Sequence, residues 1–306
     1  MYLTAGDLEE SIYQYELSIP WDISTAKIEH GLWVASTEVS SYAANETAPR
    51  DVGFGSDGKY MYLIGQNSDT VFQWTLGTPY QINTAGLTTS FDVNSEEAFA
   101  QWVGFSTGGD RMYILGDSDE INEYSLSTPW FVDSASFDSN TVISESSDES
   151  AGYIKPDGTK MWMIDNSTSI HEHNFGTPWD SSTLTVVNED TERYTGDPNS
   201  PLPKKLNLLK YGLTAAEGLY FSPDGFNMYV ADAGLDGVFR FHMDIPWDFV
   251  NAKPKELPYG YLFDDVTDNY LQTGVLEVGN PEDLSFSADG TTVSYTHLTL
   301  PTNREL

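Results

Sequence analysis

The chain has 306 residues, with 14 Lys and Arg against 47 Asp and Glu, and a formal net charge of −33. A charge that negative repels polyanions and anionic membrane surfaces, which argues against a nucleic-acid-binding role. Aromatic residues at 13% and hydrophobic residues at 39% supply a packed core, no apolar run reaches the roughly 18 residues of a membrane span, and the absence of cysteine excludes disulfides and thiolate chemistry.

In chain order, the sequence repeats itself. Five segments align: MYLTAGDLEESIYQYELSIPWD from Met1, MYLIGQNSDTVFQWTLGTPYQ from Met61, MYILGDSDEINEYSLSTPWF from Met112, MWMIDNSTSIHEHNFGTPWD from Met161 and MYVADAGLDGVFRFHMDIPWD from Met228. The blocks FGSDGKY, FSTGGDR, IKPDGTK and FSPDGFN precede four of them, and FSADGTT stands at 286–292. The prolines at 20, 79, 129, 178 and 246 lie 59, 50, 49 and 68 residues apart. Each unit predicts four short strands. One runs into an Asp-Gly turn, where Gly accepts a positive φ, and the second follows the turn. An acidic loop leads to the third, whose side chains alternate, as in Tyr13, Tyr15 and Leu17 against Ile12, Gln14 and Glu16. After Thr-Pro-Trp, a Ser/Thr/Val-rich stretch supplies the fourth. Four antiparallel strands repeated radially predict an all-β fold, a β-propeller of about five blades over residues 1–292.

The repeat resembles the superfamily of "SPDG–MYV" propellers, with its YVTN-type, NHL-like and lactonase-like blades. More narrowly, YQYELSIPWDIST at 13–25 is similar to a repeat of marine phage structural or tail-fibre proteins and secreted bacterial propellers. The resemblance implies the architecture and an extracellular or virion-associated setting. It does not imply an activity.

Both ends carry their own expectations. Met1 takes the place of Met61, Met112, Met161 and Met228, inside the second strand of a blade, so the natural chain is expected to be longer and to carry other domains. At the far end VSYTHL resembles a translated sequencing adaptor, and residues 293–306, with His297 and Arg304, are kept out of functional reasoning. The stretches 188–212 and 252–280, with several Pro and Lys residues, read as elaborated fourth strands or surface loops. The inner strand Leu284–Ser287 is expected to complete the sheet begun by Met1–Leu3 and close the ring.

Two residue sets are candidates for a site. Counting four back from the inner-strand apolar anchors (Phe54, Phe105, Ile154, Phe221, Phe286) gives Arg50, Gln101, Ser150, Glu217 and Glu282, polar in every blade. They predict a ligand-facing ring at the channel mouth. Lactonase-like propellers hold one divalent cation there with Glu, Asn and Asp. Glu217 and Glu282 match that pattern, while no Asn or Asp of this set completes it and Arg50 opposes it.

The second set is acidic loops between strands two and three: Asp7, Glu9 and Glu10; Asp69; Asp117, Asp119 and Glu120; Asp165; Asp232 and Asp236. Their oxygens, Asp117, Asp165 and Asp232 foremost, suit Ca²⁺ or another divalent cation, although Asp in such turns commonly caps a backbone N–H.

His171 and His173, two apart on one strand face, are placed to touch one ion. Yet they stand where other units have Tyr13 and Tyr15, Phe72 and Trp74, or Phe239 and Phe241, and read as inter-blade packing. On that reading His171→Phe with His173→Tyr leaves the protein at least as stable. No Gly-x-Ser-x-Gly elbow, phosphate loop or HExxH motif occurs, so no catalytic residue is assigned and no cofactor beyond such a cation is expected. The expected function is a non-enzymatic binding or structural module facing a protein or glycan surface. A metal-dependent lactonase-like hydrolase is the alternative.

Overall fold

A computed structural model describes residues 2–5, 11–33, 46–143, 149–166, 168–189, 202–235, 237–254, 270–272 and 281–294. The chain opens with β1 (Tyr2–Ala5), β2 (Ser11–Leu17) and β3 (Ala26–Trp33). A blade follows from β4 (Pro49–Phe54), β5 (Tyr60–Gly65), β6 (Thr70–Leu76) and β7 (Ala85–Asp92). The next is β8 (Ala100–Phe105), β9 (Arg111–Gly116), β10 (Glu120–Leu126) and β11 (Ala135–Val142). The third comprises β12 (Glu149–Ile154), β13 (Lys160–Asp165), β14 (Ser169–Phe175) and β15 (Leu184–Val186). A small ladder of β16 (Asn188–Glu189) with β17 (Leu202–Pro203) leads to β18 (Lys205–Asn207), which pairs with β14. The fourth blade is β19 (Ala216–Phe221), β20 (Asn227–Asp232), β21 (Gly237–His242) and β22 (Lys253–Pro254), with β23 (Tyr270–Gln272) also on β21. Finally β24 (Pro281–Ser285) and β25 (Thr292–Ser294) return to the start of the chain. No helix among the described residues is long and apolar enough to cross a membrane.

Four blades are thus each built from one contiguous stretch, and a fifth sheet, ordered β24-β1-β2-β25 with β3 also on β2, draws on both parts of the chain. Its register puts Tyr2 opposite Ser285 and Leu3 opposite Leu284, the pairing expected of the spare inner strand. The inner strands β4, β8, β12, β19 and β24 lie side by side, with β24 against both β19 and β4, so the ring is closed. The core sits in the seams between sheets. Ile12 of the closing sheet packs with Val52, Met61, Leu63 and Trp74 of the first blade. Of the two irregular stretches, the described part of 188–212 elaborates the third blade's outer edge and sends Leu206 and Leu208 into the core.

The recurring turn and Pro-aromatic pair form one device. Gly58, Gly109, Gly158, Gly225 and Gly290 all hold φ between 68° and 74°. Over each lies the ring of Tyr80, Trp130, Trp179, Trp247 or Trp21. These aromatic residues are themselves left-handed, with φ of 62–68°, a strained state for a bulky side chain. Three contacts offset the strain. Each backbone N–H donates to the carbonyl of the glycine beneath it at 2.8–3.0 Å. Each ring covers that turn. The carbonyls of Trp21 and Trp130 accept the hydroxyls of Tyr229 and Tyr62, both at 2.7 Å, from the preceding blade, and Tyr113 serves Trp179 in the same way. At the next junction Trp162 replaces the tyrosine and stacks on Trp247, centroids 5.5 Å apart. The Pro-Trp repeat therefore stitches blades together.

A second stitch comes from the middle of the third strand in three of the sheets. The Gln14 side-chain carbonyl accepts the Ile82 N–H at 2.9 Å, and Gln73 accepts that of Val132 at 2.9 Å. Glu123 accepts the Ser181 N–H at 2.8 Å and its hydroxyl at 2.6 Å. Glu123→Ala is expected to cost roughly 1–3 kcal/mol, because it strips two buried donors of their acceptor, and Glu123→Gln only part of that. Urea denaturation of the two variants checks the difference.

Candidate functional site

The ring expected from sequence has a structural cause. In four blades the pairing of the first two strands slips between Pro49 and Asp51, Ala100 and Trp102, Glu149 and Ala151, and Ala216 and Gly218. In the closing sheet it slips where Thr4 faces Asp283 and Ala5 faces Pro281. The positions that the register skips are Arg50, Gln101, Ser150, Glu217 and Glu282. A β-bulge re-aims one side chain out of the alternating pattern, and here it does so once per blade at the same level.

Arg50, Gln101, Ser150 and Glu217 line one cavity of about 290 Å³ together with Asp117 and Asp165 from the loop-side ends of β9 and β13. The two candidate sets therefore meet. Arg50 ion-pairs with Glu282 and donates to the Gln66 side-chain carbonyl at 2.7 Å. Gln101 donates to Asp117 at 3.2 Å, and the Ser150 hydroxyl to the Ala216 carbonyl at 3.1 Å. Among the described residues Glu217 has no such ion-pair partner. Burial, with Glu282 nearby, pushes its carboxyl up to about 7, against a smaller opposing pull from Arg50. A folded-state value above the unfolded one of about 4.3 means the protonated carboxyl favours folding. That contribution is full below about pH 4 and is lost as pH rises through 7. Glu217→Gln is accordingly expected to flatten the pH dependence of the melting temperature between about pH 5 and 8.

Asn166, Thr168 and Thr214 also line the cavity and had no sequence signal, because they come from loops outside the strand repeat.

Asp232 lies beneath this surface, fully buried, with its carboxylate accepting the N–H groups of Thr214, Ala215 and Leu235 at 2.8, 3.0 and 2.9 Å. Asp69 likewise accepts from Asn94 and the Ala100 N–H, at 2.8 and 3.1 Å. Glu120 takes the Asn140 amide at 2.5 Å, and Asp119 sits at a turn with φ of 55°. Asp7, Glu9, Glu10 and Asp236 lie outside the described residues. In the first two blades Gly65 and Gly116 stand where Asp165 and Asp232 do, and the space is filled by Glu46 and Glu97. Those glutamates cap the backbone N–H groups of Ala48 and Ser68, and of Phe99.

A single divalent cation fits these side chains poorly. Asp165 accepts the Ser169 N–H at 2.9 Å and holds His171 at 2.8 Å, Glu282 is paired with Arg50, and Asp232 is saturated by backbone. Among the described residues no group of three or more His, Asp or Glu could hold an ion.

His171 and His173 are buried in the seam expected for them, yet they differ. His171 Nε2 lies 2.8 Å from Asp165 Oδ2, so it supports the cavity wall from behind. Neither ring nitrogen of His173 has a hydrogen-bond partner among the described residues, and burial beside His171 pushes its pKa down to about 3. The paired replacement therefore splits in two. His173→Phe is expected to raise stability by roughly 0.5–1 kcal/mol, and His171→Phe to lower it by about 1–3 kcal/mol by removing the ring nitrogen that meets Asp165 Oδ2. Denaturant midpoints of the single variants check both signs.

No protein-family model matches the chain, and no curated protein matches it. Solved structures do resemble it. A protein provisionally assigned as a 6-phosphogluconolactonase from Bacteroides fragilis NCTC 9343 gives a TM-score of 0.49 at 10% identity, over 93% of this chain and 82% of that one. The periplasmic gluconolactonase of Pseudomonas aeruginosa gives 0.45 at 14% identity, over 94% and 69%. A functionally unknown protein from Desulfotomaculum acetoxidans DSM 771 gives 0.44 at 12% identity, over 96% and 72%. The propeller architecture stated above rests on this chain's own strand pairing.

Proposed function

We propose that the chain is a non-enzymatic propeller that binds a polar group of a glycan or protein surface at its channel mouth, as a module of a virion appendage or an extracellular protein. The observation that carries the reading is the set of bulged residues, one per sheet, that brings Arg50, Gln101, Ser150 and Glu217 to one cavity. That cavity offers a guanidinium, amides, hydroxyls and carboxylates, the mixed donors and acceptors that hydroxyl-rich or zwitterionic groups need. The setting is supported by the Pro-Trp-Asp repeat and by the charge of −33, whose self-repulsion is screened in salt. The lactonase-like reading keeps Glu217 but is weakened by the commitments of Glu282 to Arg50, Asp165 to His171 and Asp232 to backbone.

The test combines binding and turnover. Monosaccharides, sugar acids and amino acids are screened by thermal shift against the parent, Glu217→Gln and Arg50→Gln. A shift in the parent that both variants lose supports the proposal. Lactone hydrolysis that requires Ca²⁺, Mn²⁺ or Zn²⁺ and disappears in Glu217→Gln would replace it with the hydrolase.

A further inference from the structure

One residue inward from the mouth ring, two strands distant in sequence meet through a pair of carboxyl groups. The side chain of Asp283 of β24 reaches across to the backbone of β4 beside Asp51, and the two carboxyl groups lie within hydrogen-bond reach of each other. Both are buried, 4% exposed. Each also caps the free edge of the next inner strand: Asp283 Oδ2 accepts the Val52 N–H at 3.3 Å, and Asp51 Oδ2 accepts the Val103 N–H at 2.7 Å. The pair spans the seam between the closing sheet and the first contiguous blade.

Ionised carboxylates only accept hydrogen bonds, so two of them can bond to each other only while one carries a proton. We propose that Asp51 and Asp283 form a proton-held latch at the ring-closing seam, tight while the pair keeps a proton and loosened when both carboxylates are ionised.

The surroundings leave the proton as the agent. On β4 and β24 the other charged residues are Arg50 and Glu282, which pair with each other. β19 presents Glu217 and Tyr220, and β20 presents Tyr229 and Asp232, the last saturated by backbone N–H groups. β12 carries Glu149 and Tyr153, β5 carries Tyr60 and Tyr62, and β1 carries Tyr2 as its sole ionisable residue. β8 carries none, and β25 none. Among the described residues no lysine or arginine therefore compensates the pair, and burial is the largest influence on both groups. It pushes Asp51 up to about 6 and Asp283 well above the usual carboxylate range. Asp51 and Asp283 border a cavity of about 250 Å³ walled by Phe54, Trp102, Tyr153 and Tyr220, which opens the pair to proton exchange with solvent.

The sign follows from linkage. The unfolded chain releases both protons near pH 4, while the folded protein keeps them longer, so rising pH favours unfolding. The contribution is full below about pH 4. It falls through pH 6 as Asp51 ionises, and falls further in the alkaline direction with Asp283.

The experiment is the melting temperature of the full chain from pH 5 to pH 9 for the parent, Asp51→Asn and Asp283→Asn. An asparagine oxygen still accepts the backbone N–H, and its amide donates to the remaining carboxylate with no shared proton. Either variant is expected to flatten the curve and to melt roughly 3–8 °C above the parent at pH 9, with little change at pH 5. The two substitutions are independent, so one that folds poorly leaves the other to decide. Hydrogen exchange, corrected for intrinsic base catalysis, is expected to quicken with pH first in peptides covering β1, β4 and β24. Curves parallel to the parent in a folded variant overturn the latch. So does a parent slope removed entirely by Glu217→Gln, which would place the titration in the mouth ring.

Discussion

Trp74→Ala is expected to remove roughly 3–5 kcal/mol of stability, with the denaturant slope unchanged. The indole is fully buried in the seam where the closing sheet meets the first contiguous blade. It packs among Ile12, Val52, Met61 and Leu63 and meets the Phe72 ring at 6.2 Å. Its neighbours belong to two sheets whose separation is set by their other contacts, so the void cannot collapse without moving a whole blade. That places the cost toward the upper part of the range for large-to-small changes. Urea unfolding followed by near-ultraviolet circular dichroism measures it. A loss under about 1 kcal/mol would mean that the strand turns its other face to the seam.

Gly109→Ala should cost about 3 kcal/mol, far more than a glycine-to-alanine change in an ordinary turn. The backbone there holds φ of 71°, and an added Cβ would lie 2.3 Å from atoms of the Trp130 ring. Left-handed strain accounts for about 1–2 kcal/mol. The remainder comes from the ring, which cannot step aside. Trp130 is pinned by its own N–H on the Gly109 carbonyl at 2.8 Å, and its carbonyl accepts from Tyr62 at 2.7 Å and from Gln73 at 2.9 Å. The double variant Gly109→Ala, Trp130→Ala isolates this, because removing the ring removes the clash. Its loss should fall well short of the two single losses added together, and simple additivity would show that ring and glycine act independently.

The blades were legible because each repeats the same turn, the same Tyr or Trp after methionine and the same Pro-aromatic pair. The mouth ring was legible for a related reason. Arg50, Gln101, Ser150, Glu217 and Glu282 occupy the same bulge, so counting back from the apolar anchor reached all five. One position further along, the pattern breaks into Asp51, Trp102, Ala151, Gly218 and Asp283, and a pair of acids in two of five places carries no periodic signal. Their meeting depends on ring closure, which joins Val52 to Asp283 across 231 residues. Gln14, Gln73 and Glu123 went unread as stitches because a polar residue midway along a third strand looks like a solvent-facing position until the next blade is set against it. The fate of the acidic loops was likewise local. Asp165 and Asp232 share a place in the repeat, yet one reaches the cavity and the other is consumed by three backbone N–H groups.

The closing sheet also decides how the ring would respond to force. Tyr2 pairs with Ser285 and Ala5 with Pro281, while Ser294 pairs with Gln14 and Thr292 with Glu16. Tension applied between Tyr2 and Ser294 therefore reaches β25 at one tip and then the β1–β24 pair at the end where both tethers attach. Strands loaded from a common end part like a zipper, one ladder rung at a time, whereas strands pulled lengthwise past each other must break many rungs together. Under an optical trap the first extension would come from β25 and β24 peeling away at low load, with the four contiguous blades still folded behind them.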